Sequence, residues 1–196
     1  TARYQFNDDT LFTGEPHDYA HPGAVQHLAE LRRLLFAGQQ GEAHQLGNRA
    51  FMSINTRGTN RQEAYQPFGD LTLSFPGPED VEDYYRELDL ERAITSVRYR
   101  VGAVTYRRAA FASFPHNAVI VRLDADAPGA ITCDAMLSSP HSGARVMAAG
   151  ERLCMSGQVD DGSTRFEAQL AVRIDGGRLD ASDERLRIVG ADAVTL

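Results

Sequence analysis

From Leu71 onward the apolar residues recur with a period of two, and that alternation restricts the chain more than any other feature in it. Val97, Tyr99 and Val101 alternate with polar neighbours, Gly102-Ala103 interrupts the run, and Val104 and Tyr106 resume it. A period of two sets every second side chain on one face of a strand. Glycine at the first of two central positions suits a type II′ turn, so the spacing predicts a hairpin with Val101 opposite Val104 and Tyr99 opposite Tyr106. The same register sets Arg98 against Arg107 on the reverse face, an unfavourable like-charge pair that leaves this face either solvated or docked. Further alternating runs cover Leu71–Phe75, Val119–Leu123, Ile131–Leu137 and Phe166–Ile174, with a short one at Leu186 and Ile188. Turn sequences separate them: Asp126-Ala127-Pro128-Gly129, Asp160-Asp161-Gly162-Ser163 and Asp175-Gly176-Gly177. Strands at this spacing predict a mainly β chain, an antiparallel β-sandwich and not a βαβ fold.

The N-terminal third is different. Residues 1 to about 23 are rich in Asn, Asp, Gly, Pro and His and read as an ordered loop. Ala24, Leu28, Leu31 and Leu35 then recur at helical spacing behind Pro22, with Arg32 and Arg33 on the other side and Gly38 as a stop, which predicts an amphipathic helix over 22–37. Ala43, Leu46 and Ala50 carry a second helix from Glu42 to about Met52, and the two form a short helical hairpin. The segment from Ser53 to Pro67 is polar and irregular.

At 196 residues the chain is read as one domain, 1–196. It opens at Thr1 without a leader and closes on Ala193-Val194-Thr195-Leu196, which reads as the start of a strand, so a truncated piece of a longer protein is expected. Twenty basic against 27 acidic side chains, with the basic ones dispersed, argue against a nucleic-acid or anionic-membrane partner. No stretch approaches the ~18 continuous apolar residues of a membrane-spanning helix. Cys133 and Cys154 are too few for a disulfide framework and lack zinc-site spacing. Cys133 falls on the apolar side of the Ile131–Leu137 alternation and reads as a buried free thiol, with a disulfide to Cys154 as the alternative.

The inventory for catalysis is thin: no glycine-rich phosphate loop, no nucleophile elbow and no metalloprotease helix occurs. Asp8-Asp9 before Thr10 could supply carboxylates, but neighbouring carboxylates rarely face one site and such clusters usually make backbone turns. His17 and His21 lie among Pro16, Asp18 and Pro22 in loop sequence without a third ligand, so no metal site is assigned. No catalytic residue and no cofactor is expected. The polar stretch Gln62 to Leu71 holds the candidate site residues, Tyr65 and Gln66: an amide donates and accepts, a tyrosine offers a ring face and a hydroxyl, and Pro67 stiffens the backbone beside them. They suit substrate contact or a domain interface. The bland alternative is a loop that satisfies its own backbone.

Five elements in order carry a resemblance to a known family. Asn7-Asp8-Asp9-Thr10-Leu11-Phe12-Thr13-Gly14-Glu15-Pro16 resembles the Asn-Glu-Asp-Thr-Leu-Trp-Ser/Thr-Gly-Gly-Pro signature of family 95 glycoside hydrolases, with Phe12 where Trp is usual and Glu15 where Gly is usual. Gln62 to Leu71 resembles that family's Gln-x-Tyr-Gln-Pro-Leu-Gly-Asp-Leu, and Tyr84 to Leu90 its Tyr-x-Arg-x-Leu-Asp-Leu. Val104 to Arg108 with Phe111 to Ser113, and then Ser138-Ser139-Pro140-His141, complete the series. The resemblance implies the N-terminal β-sandwich of an α-L-fucosidase-like enzyme, non-catalytic itself, which buttresses a C-terminal (α/α)6 barrel of the same parent chain. That barrel would remove terminal α-L-fucosyl residues from fucosylated or related oligosaccharides with inversion, and a periplasmic or extracellular location goes with it. An independent carbohydrate-binding module is the alternative function.

Overall fold

A computed structural model describes residues 1–53, 62–77, 80–182 and 184–196. The middle of the polar segment from Ser53 to Pro67 therefore lies outside the described residues. The chain divides into two compact units: a larger one of residues 1–8, 67–157 and 166–196, and a smaller one of residues 9–66 and 158–165.

The larger unit is built from antiparallel sheets. Its first comprises β1 (Ala2–Phe6), β2 (Gly69–Ser74), β7 (Ile131–Ser138), β13 (Arg185–Ala191) and β12 (Arg178–Ser182), in the order β1-β2-β7-β13-β12. The second, of six strands, comprises β3 (Glu82–Asp89), β4 (Ile94–Val101), β5 (Val104–Ser113), β6 (Ala118–Ala125), β11 (Arg173–Asp175) and β14 (Ala193–Thr195), ordered β11-β14-β6-β5-β4-β3. A third runs β10 (Arg165–Ala171), β9 (Arg152–Gln158), β8 (Arg145–Ala149).

The core is what the alternation demands. Leu71 and Leu73 of β2, Cys133 and Ala135 of β7, and Leu186 and Ile188 of β13 point inward from one sheet; Tyr99, Val121 and Leu123 do so from the other. Each fully buried aliphatic side chain of this kind contributes about 1.5–3 kcal/mol. Arg108 on β5 shares the inward face, its guanidinium 4.6 Å from the Phe75 ring centroid and 4.9 Å from that of Tyr99. Aromatic faces attract a cation, which favours an arginine stacked in this way on the inward face.

The hairpin predicted at Gly102-Ala103 forms in the expected register. Val101 pairs with Val104, Tyr99 with Tyr106 and Arg98 with Arg107, and Gly102 has φ of 58°. The Tyr99 and Tyr106 rings stack at 5.2 Å. The run Phe166–Ile174 is broken where the sequence shows no break: β10 ends at Ala171, Val172 is buried, and β11 joins a different sheet. A further departure is β1, which lies in the stretch read as loop and pairs with β2 from Ala2 opposite Leu73 to Phe6 opposite Gly69.

In the smaller unit, a 3-10 turn at Ala24–His27 leads into α1 (Leu28–Phe36), and α2 (Gln40–Ala50) follows. Leu34 packs with Ala43, Leu46 and Ala50, and Leu31 and Phe51 lie against that cluster. The second helix buries the residues expected of it. The first turns Leu34 inward and leaves Leu35 exposed, because the seam against α2 follows Leu31 and Leu34. No described helix is long and apolar enough to cross a membrane.

Both cysteines are free thiols. Burial pushes the Cys133 thiol up from 9.0 to about 12, with the nearby Asp134 charge raising it further and Arg108 opposing. A thiol whose folded value exceeds its unfolded one stabilises the fold below pH ~9 and loses that contribution as pH rises toward 12. Cys133 is therefore expected to resist iodoacetamide at pH 8 and to react fully once denatured; peptide mass spectrometry of the labelled protein checks this.

Candidate functional site

Within the smaller unit, two of the family-like segments lie side by side. Gln66 donates its backbone N–H to the Leu11 carbonyl at 2.9 Å, and Thr13 donates to the Ala64 carbonyl at 2.9 Å. Phe12 and Tyr65 form an antiparallel bridge between these bonds. A third segment joins at Gly14, whose N–H donates to Asp161 O at 2.8 Å and whose carbonyl accepts from Ser163 at 2.9 Å. Backbone groups taken out of water need partners, and here loop backbone supplies them to loop backbone across the three segments.

Glu63 is the residue that sequence reasoning missed. It is only 8% exposed. Its Oε2 accepts a hydrogen bond from the Thr13 hydroxyl at 2.8 Å, and that hydroxyl oxygen accepts in turn from the Ala64 N–H at 2.9 Å. Gly14 lies directly beneath the carboxylate, with φ of 80°, and a Cβ there would approach Glu63 Cδ to 2.5 Å. Glycine is required at Gly14 both for its left-handed backbone and for the space that Glu63 fills. Nothing in composition distinguishes this glutamate from the exposed acids around it; its place inside a signature is the one signal.

Tyr65 and Phe12 present the outer surface of this braced loop. They are 47% and 39% exposed, with ring centroids 5.4 Å apart and planes at 66°. Such an edge-to-face pair is stabilised by about 0.5–1.5 kcal/mol beyond its buried area and keeps each ring in place. Gln66 turns its side chain back, Nε2 donating to the carbonyls of Ala64 at 3.2 Å and Tyr65 at 3.1 Å. Of the two candidate residues, then, Tyr65 faces outward and Gln66 fastens its own loop.

In the larger unit the continuation of that segment is held by another family-like element. His141 is 5% exposed, and its Nε2 lies 3.0 Å from the Pro67 carbonyl. A carbonyl only accepts, so Nε2 carries the proton in this contact. Ser139 Oγ donates to Phe68 O at 2.6 Å, and Asn7 Oδ1 accepts from the Phe68 N–H at 3.4 Å. The Phe68 ring meets Phe6 at 5.1 Å and Phe166 at 5.0 Å.

The chemistry available here is stacking and hydrogen bonding. Asp8 belongs to the larger unit and Asp9 to the smaller, and His21 Nδ1 faces the Pro22 carbonyl at 3.1 Å. Among the described residues no group of three His, Cys, Asp or Glu side chains gathers as a metal site would need.

The family described as glycosyl hydrolase family 65, N-terminal domain, matches this chain over residues 1–196. Alpha-L-fucosidase 2 of Arabidopsis thaliana is 37% identical over 133 residues, which is 64% of this chain and 14% of that protein. Probable alpha-fucosidase A of Aspergillus niger is 33% identical over 63 residues, 32% of this chain and 8% of that protein.

Proposed function

The chain belongs to the glycosyl hydrolase family 65, N-terminal domain family, and from that premise we propose that it is the non-catalytic N-terminal β-sandwich of a larger α-L-fucosidase-like glycoside hydrolase. The observation that carries this reading is the way the signature residues are used. Thr13, Gly14 and Glu63 brace one loop against another, the Gln66 side chain fastens its own loop, and His141 and Ser139 hold the backbone at Pro67 and Phe68. A polypeptide that spends its most distinctive residues on loop geometry supports chemistry done elsewhere.

In this reading the hydrolysis belongs to a C-terminal (α/α)6 barrel of the same polypeptide, as the resemblance to family 95 implies. The substrates are oligosaccharides ending in α-L-fucosyl residues, cleaved with inversion. The Phe12–Tyr65 pair faces that barrel as a domain contact. The half-exposed pair also favours a second reading, an independent carbohydrate-binding module, because a fixed aromatic ring is a stacking platform for a pyranose.

The parent enzyme is expected to release fucose from aryl α-L-fucosides and fucosylated oligosaccharides, and the 196-residue chain to release none. Tyr65→Ala in the parent is expected to lower the melting temperature by a few degrees with KM unchanged. A raised KM at unchanged melting temperature would instead make Tyr65 a sugar contact. Turnover by the purified 196-residue chain would refute the non-catalytic assignment.

A further inference from the structure

The outer face of the six-stranded sheet carries an unfavourable pair that the fold does not relieve. Arg98 of β4 lies directly opposite Arg107 of β5, and both side chains are exposed. Counted back from the Gly102-Ala103 turn, this is a non-hydrogen-bonded pair, the kind that brings opposite Cα atoms to about 4.5 Å and their side chains closest together. Among the described residues neither guanidinium makes an ion pair or a side-chain hydrogen bond. Like charges at opposite positions lower stability, so the pair works against the hairpin that holds it.

Acids are not scarce around this pair, but they are engaged elsewhere. Glu82 and Asp83 hold Arg100 at 2.7 and 3.0 Å, and Asp124 and Asp175 hold Arg122 at 2.9 and 3.4 Å. Asp126, within electrostatic reach of Arg107, accepts the Thr105 N–H at 2.8 Å. Glu87 accepts from the Tyr85 hydroxyl at 2.9 Å through one oxygen and from the Ser96 hydroxyl at 3.1 Å through the other. That last arrangement also steadies an aromatic ring. Tyr85 pairs with Arg98 across β3 and β4 and is 53% exposed, so Tyr85, Arg98 and Arg107 form one row across three strands.

We propose that this row binds a glycan carrying a carboxylate, a uronate residue set among neutral sugars. A carboxylate has two oxygens and accepts guanidinium N–H groups in pairs, so one bound between Arg98 and Arg107 replaces their repulsion with a shared attraction. The Tyr85 ring beside them offers a neighbouring pyranose an apolar face. Two further observations select this ligand. The chain's net charge of -7 disfavours a densely charged polyanion at long range, which leaves sparse carboxylates recognised locally. The same-face neighbours of the pair along its own strands are Ser96, Arg100, Thr105 and Ala109, with none of the large aliphatic side chains that fill the core of a protein interface. The proposal concerns binding alone and holds whatever bond the parent enzyme hydrolyses.

Calorimetry with the parent enzyme tests this, using oligosaccharides in which glucuronate or galacturonate alternates with a neutral sugar. Binding is expected, with Arg98→Gln and Arg107→Gln each weakening it about tenfold or more, as loss of a charge-assisted hydrogen bond does. Tyr85→Ala, which removes the ring and no charge, should weaken it about threefold or more. Without ligand, each arginine variant should melt at the wild-type temperature or a degree or two above it, because each relieves the like-charge pair. A fall of several degrees would make the arginines structural and overturn the proposal. So would no binding by the wild type, unchanged affinity in either arginine variant, or equal affinity for the methyl-esterified oligosaccharides. Equally tight binding of a glutamate oligomer of the same charge would put an acidic peptide on this face instead, and overturns it too. None of these readouts needs turnover, so a parent without fucosidase activity would refute the proposed function and leave this result standing.

Discussion

Leu73→Ala is expected to lower the unfolding free energy by about 2–5 kcal/mol, read as a shifted urea midpoint at unchanged slope. Leu73 is fully buried on β2, between Ala2 of β1 and Ala135 of β7 in the sheet register. Both flanking residues are alanines, too short to swing into the space that a truncated leucine leaves. The surroundings therefore relax little, and the cavity cost adds to the lost transfer free energy. Leu90→Ala is the matched control. Leu90 is 84% exposed, and its truncation should stay within about 0.5 kcal/mol of zero. Similar losses for the two variants would contradict the assignment of the core.

The second large effect is expected at Glu63. Glu63→Ala removes the acceptor of a buried hydrogen bond and opens space over Gly14, so a loss of about 1–3 kcal/mol is anticipated. A double-mutant cycle with Thr13→Ala isolates the contact. The coupling should be at least ~1 kcal/mol, because each single substitution already forfeits the Thr13–Glu63 bond. Glu63→Gln keeps an acceptor oxygen in place and should recover part of the loss. Strict additivity in the cycle would mean that the bond contributes nothing and that the signature loops are held by backbone alone.

How far the fold was legible follows from how local each signal is. The hairpin at Gly102 is readable to the residue because its two strands are neighbours in sequence and the turn sets their register. The second helix is readable because Ala43, Leu46 and Ala50 meet their partners within one helical hairpin. The strand β1 reads as loop in the sequence for the opposite reason: its alternation is short, and the pairing that makes a strand of it comes from β2, far along the chain. Two of the family-like segments meet at the Phe12–Tyr65 bridge, and Tyr65 reaches the surface. That Gln66 would fold back on its own backbone, and that Glu63 would be the buried acid, depended on contacts with Leu11, Thr13 and Gly14 that no single segment contains.

Val172 has a consequence for how relatives of this domain can differ in length. It is 3% exposed and is the one residue between β10 and β11, which belong to different sheets. Leu170 before it is buried, and Ile174 after it pairs with Val194 on the inward side. Because side chains alternate, one inserted or deleted residue at Val172 would invert either Leu170 or Ile174 toward solvent. The turn at Gly102 carries no such constraint: an added Cβ there meets nothing within 4 Å, and both flanking strands keep their own phase. Insertions and deletions among homologues should accordingly collect at turns like Gly102, while the spacing between Leu170 and Ile174 stays fixed even where the residues themselves drift.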